Sequence, residues 1–221
     1  MGRARVWDLR ARRASAACAA AAVVIAAAAS ACADPAGVKR VRSMNEIRNE
    51  QLIRQQWDLS CGAAVVATLF TYQLGRPVTE RQVALAMLHR TTLSLVRARL
   101  GFSLLDLKIF AASQGYGAAG YADMSLEDLD GMAPAIVPIN WRGFRHFVIY
   151  RGRRDGRVLI ADPAFGNRTL PEAGFAKIWS GGVGFILFDP ANPHAANRMG
   201  APVELFLAPS VQAERNRLSG G

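Results

Sequence analysis

One thiol carries most of the chemical potential of this chain. Cys61 follows the polar run Gln55-Gln56-Trp57-Asp58-Leu59-Ser60 and opens an apolar stretch, Gly62-Ala63-Ala64-Val65-Val66-Ala67-Thr68-Leu69-Phe70. A cysteine in the first turn of a helix sits among backbone N–H groups with no intrahelical partner, and the helix dipole favours negative charge there. Both effects favour the thiolate, the nucleophilic form of cysteine. A buried cysteine on its own is more often a small apolar filler. The case for chemistry therefore rests on what stands beside the sulfur.

Two segments, His146-Phe147-Val148-Ile149-Tyr150 and Arg157-Val158-Leu159-Ile160-Ala161, read as strands around the turn-forming run Gly152-Arg153-Arg154-Asp155-Gly156. Directly opposed residues of an antiparallel pair keep a constant index sum. A turn centred on Arg154 thus sets His146 opposite Asp162, on one face and within side-chain reach. A carboxylate beside a histidine fixes the tautomer and orientation of the ring, as a general base requires. A slip of one residue in the turn would spoil this pairing. Taken alone, His146 would read as a core histidine and Asp162-Pro163 as a strand-ending turn. His89 lies at a helix end and His194 in the tail, where neither calls for chemistry. No close cluster of Cys and His has metal-ligand spacing, so neither a metal nor a cofactor is expected.

The elements that must position these groups fall into two halves. In the first, residues 61–74 form one helix closed by Gly75 and Pro77, and Thr79-Glu80-Arg81-Gln82 is a capping box opening a second helix through Leu88. Residues 90–100, basic and threonine-containing, have no clear period and suit a loop over the site. Ser103-Leu104-Leu105-Asp106 opens a third helix that ends at Gln114-Gly115. The second half changes to short apolar runs. Strands are expected at 116–121, 135–139, 146–150, 157–161 and 184–188, with helices at 125–130 and 171–179. Pro138 inside the second of these strands argues for an edge or an irregular position. Helices followed by an antiparallel sheet make the class α+β, within one domain spanning residues 34–190. Residues 191–221 turn polar and read as an appendage, partly flexible.

Residues 1–33 read as a secretory signal. Arg3, Arg5, Arg10, Arg12 and Arg13 form a basic start, an alanine-rich uncharged stretch follows, and small residues end it. Ala31-Cys32-Ala33 fits cleavage before Asp34, which we favour. Ala29-Ser30-Ala31-Cys32 resembles a lipobox, in which Cys32 would be lipidated and would tether the protein to a membrane. Export leaves Cys61 as the lone thiol of the mature domain, in a compartment where paired cysteines become disulfides. The chain has a formal charge of +10. Beyond residue 33 this becomes +6, from 22 Lys and Arg against 16 Asp and Glu. The charges are scattered, without the basic stripe or interleaved aromatics of a nucleic-acid binder, so no nucleic-acid partner is expected.

The run Gln55-Gln56-Trp57-Asp58-Leu59-Ser60-Cys61-Gly62-Ala63-Ala64 resembles the active-site segment of the bacteriocin-processing cysteine peptidases, the double-glycine leader peptidases. The resemblance continues through Gly101-Phe102-Ser103, Leu107, Gly115, His146-Phe147-Val148-Ile149, Ala161-Asp162-Pro163 and Gly166, over residues 45–188. It implies a papain-like fold and a catalytic order of Cys61, His146 and Asp162. It also implies an oxyanion-hole glutamine six residues before the cysteine at Gln55, with Gln56 as the neighbouring alternative. Members of that family mostly act on the cytoplasmic side as part of a transporter, whereas this chain shows an export signal and neither a transporter nor an ATPase. The expected activity is therefore a cysteine endopeptidase in the bacterial periplasm, acting on a secreted or envelope protein of a secretion or assembly system. Two alternatives stay open: a non-catalytic peptide-binding module of the same fold, and a papain-like amidase or cell-wall peptidase.

Overall fold

Helix starts are written into this chain as capping boxes. Thr79 with Gln82, Ser103 with Asp106 and Ser125 with Asp128 each exchange side-chain-to-backbone hydrogen bonds, satisfying donors that a first turn leaves free and contributing about 1 kcal/mol per cap. The computed structural model describes residues 42–207. The expected signal, with Cys18 and Cys32, and residues 208–221 lie outside the described residues. Within them the helices are α1 (Met44–Arg48), α2 (Cys61–Thr68), α3 (Glu80–Leu88), α4 (Leu93–Arg99), α5 (Leu104–Ser113), α6 (Leu126–Gly131), α7 (Glu172–Ile178) and α8 (Val203–Leu207). The expected helix over 61–74 is α-helical to Thr68 and continues as a π-helical turn over Leu69–Gln73. Gly75, at φ 70°, takes the chain out of it. Residues 93–99, expected as part of a loop, are helical because Thr92 caps the Leu95 N–H.

Six strands, β1 (Gly117–Tyr121), β2 (Ala135–Trp141), β3 (Phe144–Arg154), β4 (Arg157–Asp162), β5 (Gly166–Pro171) and β6 (Gly184–Phe188), form one antiparallel sheet in the order β1-β6-β2-β3-β4-β5. The fold is α+β. Pro138 lies in an inner strand, but β2 pairs with β6 only through Ile136 and Phe185. The proline therefore falls on a stretch with little to pair on that side. Strand β5 was not foreseen, since Gly166-Asn167-Arg168-Thr169-Leu170-Pro171 is poor in β-formers.

The sheet separates two cores. One face packs Ile136, Ile149, Ala161 and Phe185 against α2, α3 and α5, and the other packs Val137, Val148, Tyr150 and Ile160 against Leu129 and Phe175. All eight residues of α2 are buried, which suits a helix that is apolar all round. Gly62 allows the close approach at its first turn, because a Cβ there would lie 3.2 Å from Leu107 Cδ1 and 3.3 Å from Phe102 Cβ.

The β3–β4 hairpin differs from expectation in detail. Its turn is tighter, with Arg154 paired to Arg157, and a bulge between Tyr150 and Gly152 then shifts the ladder so that Ile149 pairs with Ala161. Extending this register sets Asp162 opposite Val148, so His146 is a diagonal neighbour of Asp162 instead of its direct partner. The net shift is even, and an even shift keeps every side chain on its face. The two residues still meet.

The bulged residue is Arg151, 1% exposed. Its guanidinium donates to the carbonyls of Glu50, Met199 and Gly200 and to the side-chain oxygens of Gln51 and Asn167. Burial lowers its pKa to about 10, against the pull of Glu50. It thereby joins the segment leading to Cys61 with the described part of the appendage, which also docks through Met199 and Leu205, buried in contact with the domain. Arg151→Ala should lower the unfolding free energy by about 3 kcal/mol or more, since each stranded buried acceptor costs roughly 1–3 kcal/mol. Urea unfolding measures this, and a loss under about 1 kcal/mol would show that the clasp holds nothing together.

Candidate active site

The site forms where the N-terminus of α2 meets the ends of β3 and β4. Cys61 is the first residue of α2, 6% exposed and, among the described residues, without a disulfide partner. At that position its backbone N–H has no carbonyl one turn back to receive it. His146 and Asp162 share the alternation of Val148, Tyr150 and Ile160 along their strands. His146 Nε2 lies 2.8 Å from Asp162 Oδ1. That commits Nε2 as the donor and leaves Nδ1 uncommitted, and Cys61 and His146 line the same cavity. Burial alone would lower the pKa of His146. Hydrogen bonding and charge from Asp162 and Cys61 outweigh it, and the pKa is raised from 6.5 to about 9.

Asp162 is fully buried, and a buried carboxylate must be paired. Oδ1 accepts the His146 ring N–H and the backbone N–H groups of Ala164 and Phe165, at 2.9 and 3.2 Å for the last two. Oδ2 accepts from Arg168 at 2.8 Å. Burial would raise the Asp162 pKa, but His146, Arg168 and the Ala164 N–H hold it below the usual carboxylate value. Arg168 comes from the unforeseen β5, and its guanidinium lies 4.8 Å from the Trp141 ring centroid and 5.5 Å from that of Phe165. Sequence reasoning missed it. The signal available was a second hairpin, since Asp162 pairs with Gly166 and Arg168 follows two residues later on the same face.

The two glutamines separate clearly. Gln55 lines a cavity of about 420 Å³ together with His146, Asp162, Trp141, Phe144 and Phe165, whereas Gln56 is exposed. Gln55 Nε2 donates to Trp57 O at 3.1 Å, and its Oε1 is buried with no partner among the described residues. The turn between Gln55 and Cys61 is held from below by Glu80, which is 2% exposed at the start of α3. Its carboxylate accepts the Gln56 N–H at 3.0 and 3.1 Å and the Ser60 hydroxyl. From the other side, the Gln55 N–H and Arg54 Nε both donate to Pro163 O at 3.0 Å, and Arg54 also donates to Ala164 O. The segment before Cys61 is thus tied directly to the turn that holds Asp162. Glu80 is legible in the sequence only as part of a capping box.

A second cavity, of about 440 Å³, lies beside Cys61 and is lined by the 99–104 segment, Pro138, Arg145, His146, Phe147 and Val183. Leu100, Arg145 and His146 belong to both cavities, so the thiol and the imidazole sit in a cleft with room on either side. Among the described residues no group of three or more His, Cys, Asp or Glu could hold a metal ion. What the arrangement offers is a thiol at a helix N-terminus, an imidazole oriented by a buried carboxylate, and an amide alongside.

Known proteins are similar to this chain. The Peptidase C39 family model matches residues 49–192. The probable functional amyloid protease FapD of Pseudomonas aeruginosa is 34% identical over 183 residues, covering 81% of this chain and 76% of that protein. The probable functional amyloid protease FapD of Pseudomonas fluorescens is 36% identical over 157 residues, covering 70% and 69%. Among solved structures, the peptidase domain of Streptococcus ComA, a bifunctional ABC transporter of a quorum-sensing pathway, aligns with a TM-score of 0.52 at 21% identity. It covers 62% of this chain and 96% of that domain, which establishes a shared papain-like fold. With its motif order and its matches in agreement, the chain belongs to the Peptidase C39 family.

Proposed function

We propose that this peptidase cleaves peptide bonds through Cys61, His146 and Asp162, with Gln55 in the oxyanion hole, and that it acts in the bacterial periplasm on a protein of a secretion or assembly system. One observation carries the catalytic assignment. His146 gives Nε2 to a fully buried carboxylate, and its ring lines the same cavity as a thiol at a helix N-terminus. The raised His146 pKa keeps the ring protonated at neutral pH, which favours an imidazolium beside a thiolate.

In this mechanism the Cys61 thiolate adds to the scissile carbonyl carbon. The resulting oxyanion is held by the free Cys61 N–H and by the Gln55 amide, which turns away from Trp57 O. His146 protonates the departing amine as the C–N bond breaks, leaving a thioester on Cys61. The neutral ring then takes a proton from water, whose oxygen attacks the thioester, and the carboxylic product leaves. Asp162 orients the ring throughout, and Arg168 keeps the carboxylate ionised.

The names of the Pseudomonas relatives make a functional amyloid component the first substrate class to test. The resemblance to double-glycine leader peptidases makes Gly-Gly the first cleavage motif. Export to the periplasm rests on the sequence of residues 1–33. No described helix is long and apolar enough to cross a membrane.

Cys61→Ala and His146→Ala should each abolish processing of a secreted substrate, Cys61→Ala melting close to the parent and His146→Ala lower, because it leaves the buried Asp162 without its ring partner. Mass spectrometry of the secreted fraction reads the outcome, and processing by both variants at the parental rate would overturn the assignment. The active ion pair requires a protonated His146, so kcat/KM should fall as pH rises through about 9. Asp162→Asn should move that alkaline limb to lower pH. The same linkage applies to stability. The His146 contribution is complete below 6.5 and lost as pH climbs through about 9, and that of Asp162 is present above 3.8 and lost as pH falls through its depressed value. Glu80→Gln should lower kcat by about tenfold or more with little change in KM, because it loosens the turn that aims both oxyanion donors. Steady-state kinetics test this, and a pure KM effect would contradict it.

A further inference from the structure

Two arginines beside the thiol have no task in the catalytic arrangement. Arg99 and Arg145 both line the cavity next to Cys61, and that lining contains no carboxylate. Arg145 also lines the cavity on the Gln55 side, whose acids are Asp58 and Asp162. Asp162 is already committed to His146 and Arg168. Among the described residues neither the Arg99 nor the Arg145 side chain makes a hydrogen bond, ion pair or ring contact. Other arginines near the site are engaged: Arg54 with the Pro163 and Ala164 carbonyls, Arg168 with Asp162. Arg81, Arg90, Arg97, Arg142 and Arg154 also have no side-chain partner among the described residues, but Arg99 and Arg145 are the ones that line the space beside Cys61.

Helix electrostatics account for one of them only. Arg99 closes α4, where a cation complements the dipole. Arg145 lies on β3, one residue before His146, with no helix terminus to complement. The backbone between them is also shaped to the cleft. Leu100 sits at φ 59°, which a leucine rarely adopts, and is 65% exposed while lining both cavities.

Resting on the peptidase reading above, we propose that the cleft selects peptides with an acidic side chain close to the scissile bond, and that Arg99 and Arg145 recognise it. A guanidinium offers a planar fork of donors matched to a carboxylate. An exposed, unpartnered pair gives up only hydration to bind one. Hydrogen bonds to a charged group of this kind correspond to roughly ten- to a hundredfold in kcat/KM between an acidic peptide and its amide counterpart. The preference should shrink at high salt, as rim electrostatics do.

The test is cleavage of a mixed peptide library by the full chain, followed by kinetics on one good substrate synthesised with Glu, Gln or Lys at the selected position. The parent should favour Glu over Gln and disfavour Lys. Arg99→Glu/Arg145→Glu should invert the order within its own set of three peptides. A parent indifferent to charge, or a double variant that still favours Glu, would overturn the proposal. Binding to Cys61→Ala, followed by fluorescence anisotropy with the same labelled peptides, separates the two claims. If the parent cleaves nothing but Cys61→Ala still prefers the Glu peptide in a way the two reversals invert, the peptidase reading fails and charge selection stands. If Cys61→Ala binds all three alike, charge selection fails whatever the chemistry.

Discussion

A carboxylate with no access to water governs the geometry of this protein. Asp162 could not remain ionised at 0% exposure without partners on both oxygens, and each partner comes from a different part of the fold. The His146 ring comes from β3, the Arg168 guanidinium from β5, and two N–H groups from the turn after Asp162 itself. Such a cluster is a poor source of net stability, because desolvating the charges offsets most of their attraction. What it provides is a unique arrangement. With one member missing the remaining charge is stranded, so the sheet is held in the one register that brings all of them together. The Trp141 and Phe165 rings around Arg168 extend the same constraint to the wall of the cleft.

Cys61 is tied to this cluster by short, separate links. Pro163 O receives the Gln55 and Arg54 donors, so the residue following Asp162 anchors the segment that carries Gln55. Further along, Gln56 and Ser60 share the Glu80 carboxylate. Between these two anchors the chain has little freedom, and Cys61 enters its helix from a fixed direction. Packing supports this from the other side, since Gly62 leaves room for Phe102 and Leu107 and no more.

Much of this was legible in the sequence wherever the signal was local. The capping boxes at Thr79, Ser103 and Ser125 name their helices, and the Gly152-to-Gly156 run names the β3–β4 turn. The meeting of His146 and Asp162 was anticipated with the wrong register. The tighter turn moved the ladder one way, and the bulge at Arg151 moved it partly back, leaving an even displacement. What stayed hidden depends on tertiary context. Strand β5 has weak strand chemistry and forms because β4 offers it an edge. Arg168 and Glu80 look like ordinary surface charges until the fold buries their partners. The 90–100 segment carries a helix in which Val96 is buried but Leu93 and Leu95 remain exposed, so no clear period marks it.

The clasp at Arg151 bears on where the folded unit ends. Composition suggests a boundary after Pro190, where apolar patterning stops. Yet two of the acceptors around that buried cation, the Met199 and Gly200 carbonyls, come from beyond the suggested boundary, and the Met199 side chain fills part of the main core. A gene fragment stopping at residue 190 would leave a guanidinium half-solvated in β3, five residues from the imidazole, with a hole beside it. The smallest piece of this protein able to hold its own shape therefore includes a stretch that looks dispensable on paper.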